Sequence, residues 1–126
     1  MCEEVWLPAV WAGCDKYFPP HGHTNWKDIV ASKNSGRKVA KYHNALTLQQ
    51  IEQIEMAFRH PDDLLYEDYP VRFYAYQCDR IIGASCGEET DLVLIKRHQA
   101  GAVHGYPITE REQAEWLREA EKRGQR

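Results

Sequence analysis

Between Thr47 and Phe58 the apolar residues Leu48, Ile51, Ile54 and Phe58 recur at intervals of three, three and four. That spacing lines one face of a helix. Thr47-Leu48-Gln49-Gln50 has the form of a capping box, which places the helix start, and Pro61 ends the helix because the residue before a proline disfavours helical geometry. After Pro61 the period drops to two. Val71, Phe73 and Ala75 alternate with Arg72, Tyr74 and Tyr76, which predicts a strand. Leu92 to His98 predicts a second strand and Ala102 to Tyr106 a third, with Gln99, Ala100 and Gly101 as the tight hairpin between them. Ile81 and Ile82 suggest a short edge strand before a turn region from Gly83 to Gly87. Thr109-Glu110-Arg111-Glu112 is a second capping box and opens a charged helix to the end, with Ala114, Trp116 and Leu117 as its docking residues.

The first 40 residues carry no such period. Trp6, Trp11, Tyr17 and Phe18 supply apolar weight, but Pro8, Gly13 and the Pro-Pro-His-Gly-His stretch at 19–23 interrupt it. Asn25 is placed to cap a short helix containing Asp28, Ile29 and Val30, and Asn34-Ser35-Gly36 is a turn signal. Trp6, Trp11 and Trp26 read as core plugs rather than stacking platforms. No repeat and no domain boundary is visible. The pattern predicts one α+β domain over 1–126, with helices packed on a small antiparallel β-meander, a C-terminal helix over 109–126, and residues 1–40 as an N-terminal extension.

Composition adds exclusions. With 126 residues, 43% of them hydrophobic and 28% charged, the chain can bury a core and is not wholesale disordered. No apolar run approaches the roughly 20 residues that span a bilayer. The start, MCEEVWLPAVW, lacks the basic and apolar regions of a signal peptide, so the expectation is cytoplasmic, without a membrane partner. Cys2, Cys14, Cys78 and Cys86 have irregular spacing and read as free thiols in a reducing compartment. A net charge of −3 exerts no global pull on nucleic acid. The positive charge is local instead: Lys33, Arg37, Lys38 and Lys41 form an acid-free run, and Arg72, Arg80, Lys96 and Arg97 lie along the middle of the chain.

The strand alternation sharpens the chemistry. Period two puts Lys96 and His98 on one face with Leu92 and Leu94, His104 and Tyr106 on one face with Ala102, and Arg72 and Tyr74 on another. If these faces coincide, two histidines, a lysine, an arginine and two tyrosines come together, with His43 at the rim just before the Thr47 helix. Such a set suits RNA cleavage that needs neither metal nor cofactor. One histidine takes the 2′-OH proton, another group protonates the departing 5′ oxygen, and Lys or Arg stabilises the five-coordinate phosphate. Tyrosines stack on bases or donate to phosphate. The same residues also describe the solvated face of a half-exposed antiparallel sheet.

The runs YHNALTLQQIEQIEMAFRHPDDLLYED, VRFYAYQ, DLVLIKRH and AVHGYPIT resemble the phage-associated branch of the barnase–EndoU–colicin–RelE-like nuclease superfamily. The likeness covers about 42–109. It rests on His43 before a helix, the turn His60-Pro61-Asp62 after it, and Val103-His104-Gly105-Tyr106-Pro107 closing the strands. The resemblance implies an endoribonuclease or toxin-like domain with RNA as substrate, tRNA among the candidates, and a host or antidote protein as partner. It makes His43 a general acid or base, and Arg72 and Lys96 phosphate-binding or transition-state groups. Where that branch often carries a small hydroxyl residue, this chain has His104 and Gly105. With the strand reading, the catalytic candidates are His43, Lys96, His98 and His104. The substrate-binding candidates are Arg72, Tyr74, Arg97, Tyr106, Lys38 and Lys41.

Two other readings compete. A non-catalytic phage accessory protein that binds and inhibits a host factor is favoured by the negative net charge, the acidic patches and the aromatic N-terminus. A zinc module is suggested by His21 and His23 with Cys14, and Cys2 as a remote fourth ligand. That set lacks the paired ligand spacing structural zinc takes in both halves.

Overall fold

The computed structural model describes residues 5–13 and 40–125. The expected short helix after Asn25, the turn at Asn34, Trp26, Lys38 and the candidate zinc ligands Cys2, Cys14, His21 and His23 lie outside the described residues. The elements in chain order are β1 (Val10–Trp11), β2 (Ala40–Tyr42), α1 (Leu48–Glu55), β3 (Leu64–Asp68), β4 (Val71–Gln77), β5 (Gly83–Ser85), β6 (Glu88–Thr90), β7 (Leu92–His98), β8 (Ala102–Ile108) and α2 (Glu110–Lys122). The class is α+β, with mostly antiparallel sheets and a C-terminal helix.

The larger sheet has the order β1-β8-β7-β4-β3, antiparallel except for β1, which runs parallel to β8. The smaller sheet has the order β2-β5-β6. Its β5–β6 hairpin turns on Cys86 and Gly87, both at positive φ (51° and 81°). Two left-handed central residues make the type of turn whose twist matches the flanking strands. Residues expected as a loose turn therefore form a hairpin, and the expected edge strand at Ile81 and Ile82 begins at Gly83 instead.

Both capping boxes form. Thr47 Oγ1 accepts from Gln50 N while Gln50 Oε1 accepts from Thr47 N, and Thr109 and Glu112 repeat the exchange. α1 stops at Glu55, three residues short of Phe58. Phe58 instead packs on Tyr74, with ring centroids 4.5 Å apart, so tertiary contact overrides the helical period. The buried face of α1 is also rotated from expectation. Leu48 is exposed, whereas Ile51 and Glu55 are fully buried. The Glu55 carboxylate accepts from Tyr42 Oη at 2.5 Å and Trp11 Nε1 at 2.9 Å, and these bonds offset the desolvation of an interior acid.

The larger sheet buries both faces. On one, Tyr74, Val93, Ile95 and Val103 pack with Tyr42, Leu46, Ile51 and Ile82. On the other, Leu65, Leu92, Leu94 and Ile108 pack with Phe73, Tyr106, Trp116 and Leu117. The two faces thus meet different elements, and each polar strand residue is committed to one side or the other.

Candidate active-site face

The antiparallel register decides which polar residues meet. In the β4–β7 pair Phe73 faces Lys96, Val71 faces His98 and Arg72 faces Arg97; in the β7–β8 pair Lys96 faces His104 and Leu94 faces Tyr106. Directly paired residues in a ladder point to the same side. Lys96, His98, His104 and Tyr106 therefore share the face that carries Phe73, while Arg72, Tyr74 and Arg97 lie on the opposite one. The expected coincidence of all three faces does not occur. Alternation within each strand is as read, but β4 is set so that its apolar residues, not Arg72 and Tyr74, join the histidines.

On the shared face His98 and His104 are diagonal neighbours across the β7–β8 hairpin. Their Nε2 atoms are 3.2 Å apart, so one ring presents N–H and the other a lone pair. The ring centroids are 5.3 Å apart with planes at 19°. That separation is close to the N–N distance plus two ring radii, so the rings meet edge to edge. Lys96 Nζ lies 5.4 Å from the Tyr106 ring centroid and 5.8 Å from that of Phe73. Phe73 in turn stacks on Trp116 of α2 at 4.7 Å. All four polar residues are partly exposed.

Tyr106 also lines a cleft of about 390 Å³ between β2, β5, β8 and α2. Trp116 forms an aromatic wall, and Glu112, Glu115 and Glu119 supply carboxylates. Glu112 accepts from the buried Ser85 hydroxyl at 2.6 Å. Burial, reinforced by Glu112, raises the Tyr106 pKa, so its hydroxyl stays protonated and available as a donor. This cleft was not anticipated, although Glu112, Glu115, Trp116 and Glu119 have the spacing of one helix face. In the sequence Glu112 reads only as half of a capping box.

The remaining candidates are placed elsewhere. The Arg72 Nε donates to Glu67 at 2.9 Å, and its guanidinium covers Trp6. Arg97, nearly buried, donates to the carbonyls of His98 and Leu7. Tyr74 is 1% exposed and its hydroxyl meets His60 Nδ1 at 2.7 Å, so it cannot reach a substrate without rearrangement. His43 follows β2, its backbone N–H on the Ile82 carbonyl and its Nδ1 accepting from Ala45 N at 3.0 Å. Lys41 lies on β2 opposite Ala84.

Comparison with known proteins finds no family model, no curated protein and no solved structure that matches the chain. Among the described residues, no helix is long and apolar enough to cross a membrane.

Proposed function

We propose that the β7–β8 face cleaves RNA by attack of the 2′-OH on the adjacent phosphodiester, with the helices and antiparallel strands acting as the frame that fixes the residues. The observation that carries this reading is the 3.2 Å meeting of His98 and His104 beside Lys96. A pair sharing one proton holds both a lone pair to accept the 2′-OH proton and an N–H to protonate the departing oxygen. A phosphodiester entering the pair exchanges the N–H···N contact for two others: the N–H donates to the departing oxygen, and the lone pair accepts from the 2′-OH. Lys96 pairs with His104 in the ladder and shares its face, and in this reading it supplies the positive charge that the phosphate needs as its own charge builds up. Tyr106 offers a ring for a base and a protonated hydroxyl for a phosphate oxygen. Arg72, Arg97 and Tyr74 have no part in this site, because their partners lie within the fold.

The test is incubation of the full chain with total RNA and with tRNA in EDTA, followed by separation of the products. Cleavage should leave cyclic phosphate ends. H98Q and H104Q should each lower the rate by about 10²-fold or more. His43→Ala is a separate arm for the role that the nuclease resemblance implies. No cleavage, or cleavage unchanged in the H98Q/H104Q double variant, removes the proposal.

A second reading rests on the cleft beside Tyr106. Its three glutamates repel phosphate, and its aromatic walls suit the stem of a lysine or arginine from a partner protein. A non-catalytic binder of a host protein is the function that cleft favours. A stoichiometric protein complex lost in E112Q/E115Q, with no RNA cleavage, supports this second reading over the first.

A further inference from the structure

We infer that His98 and His104 form a two-histidine site for a borderline divalent cation of the zinc, copper or nickel class. Imidazole nitrogen is the preferred protein donor for these ions, whereas magnesium and calcium take oxygen ligands. The separation fits. With zinc–nitrogen bonds of about 2.0–2.1 Å and a tetrahedral angle, two ligand nitrogens stand roughly 3.3–3.4 Å apart. The two Nε2 atoms already stand 3.2 Å apart. A small tilt of each ring turns both lone pairs from one another toward a common point, and the ion takes the place of the proton the pair shares.

The scaffold favours this exchange. Both rings project from paired strands on either side of a short turn, so their backbones do not have to be gathered from solution. Both are partly exposed, which leaves an entry path. Among the described residues no third His, Cys, Asp or Glu joins them. Lys96 lies across from His104 and opposes the cation, which sets a ceiling on affinity. The inference stands apart from RNA cleavage. If the cleavage reading also holds, bound zinc removes both imidazoles from proton transfer and inhibits it.

The experiment is a zinc titration of the full chain, stripped with EDTA and dialysed, followed by calorimetry without RNA. One equivalent should bind, and H98Q and H104Q should each weaken it by about tenfold or more. H21Q/H23Q should keep that equivalent, and magnesium should produce no isotherm. In the unmutated chain, cobalt(II) should shift the imidazole proton resonances of His98 and His104 together, a readout that needs no variant. Absence of zinc binding, an isotherm unchanged in H98Q and H104Q, or cobalt shifts confined to other histidines overturns the inference. Because RNA is absent, none of these outcomes bears on cleavage.

Discussion

The Arg72 guanidinium lies over the Trp6 ring, its Cζ 3.9 Å from the ring centroid. This contact resolves a difficulty that the ladder creates. Arg72 and Arg97 are directly opposed on neighbouring strands, and like charges in that position repel. Glu67 pairs with Arg72, two backbone carbonyls accept from Arg97, and Trp6 offers its ring to both guanidinium groups. The segment before β1 is thereby fastened across the end of the sheet, with Gln99 donating to the Val5 carbonyl and Leu7 N donating to the Gln99 carbonyl.

Trp6→Ala should therefore destabilise the fold by about 2–4 kcal/mol, since it removes a large apolar contact and leaves two facing arginines less screened. Arg97→Ala should cost about 1–3 kcal/mol through its buried hydrogen bonds. Urea unfolding measures both. The RNA cleavage rate per folded molecule should hardly change in Trp6→Ala, because Trp6 lies on the face opposite His98 and His104. A Trp6→Ala chain as stable as wild type would show that the segment is not fastened in this way.

How much of this was legible depends on the range of the interaction. The two capping boxes, the β7 limits at Leu92 and His98 and the hairpin at 99–101 are local, and the residues that make them are neighbours in sequence. β2, β5 and β6 are three-residue strands that exist because they pair with one another, and no three-residue period can announce that. β3 was hidden because Leu64–Asp68 ends in acids, and its alternation is interrupted by a register shift between Leu64 and Tyr66. For the site, alternation correctly grouped Lys96 with His98 and His104 with Tyr106. Which groups share a side depends on strand register, which periodicity leaves open. Glu55 was unreadable as an interior residue because Trp11 and Tyr42, whose donors make its burial tolerable, are far away in sequence.

Gly105 separates His104 from Tyr106, and a Cβ built there would stand 2.4 Å from the Leu94 carbonyl oxygen. The obstacle is backbone in the centre of the sheet, so it cannot swing aside. Gly105→Ala should push β8 away from β7 and cost about 1–3 kcal/mol, in the range of other overpacked positions. It should also spread His98 and His104, since one of them sits next to the displaced residue. Chemical denaturation measures the first effect, and the histidine resonances of the folded variant measure the second. Unchanged stability would mean that the ladder is looser at Leu94 than the register indicates.

Cys78, half-buried just after β4, provides a test of local polarity. Its backbone N–H donates to the Asp91 carbonyl, and burial, with smaller contributions from Asp79 and Asp91, pushes its thiol from the usual 9.0 up to about 11. The thiolate is the reactive form, so the folded chain should resist alkylation at pH 8. In a C2S/C14S/C86S chain, the iodoacetamide rate should keep rising about tenfold per pH unit until near 11, while in urea it should level off near 9. Because the folded pKa is the higher one, the unfolded chain loses its proton first as pH rises. The contribution of the neutral thiol to stability is therefore complete below about 9 and disappears as pH passes through about 11. Equal plateaus in the folded and urea-treated chains would show that the half-buried Cys78 thiol ionises as easily as an exposed one, and would contradict the desolvation of its side chain.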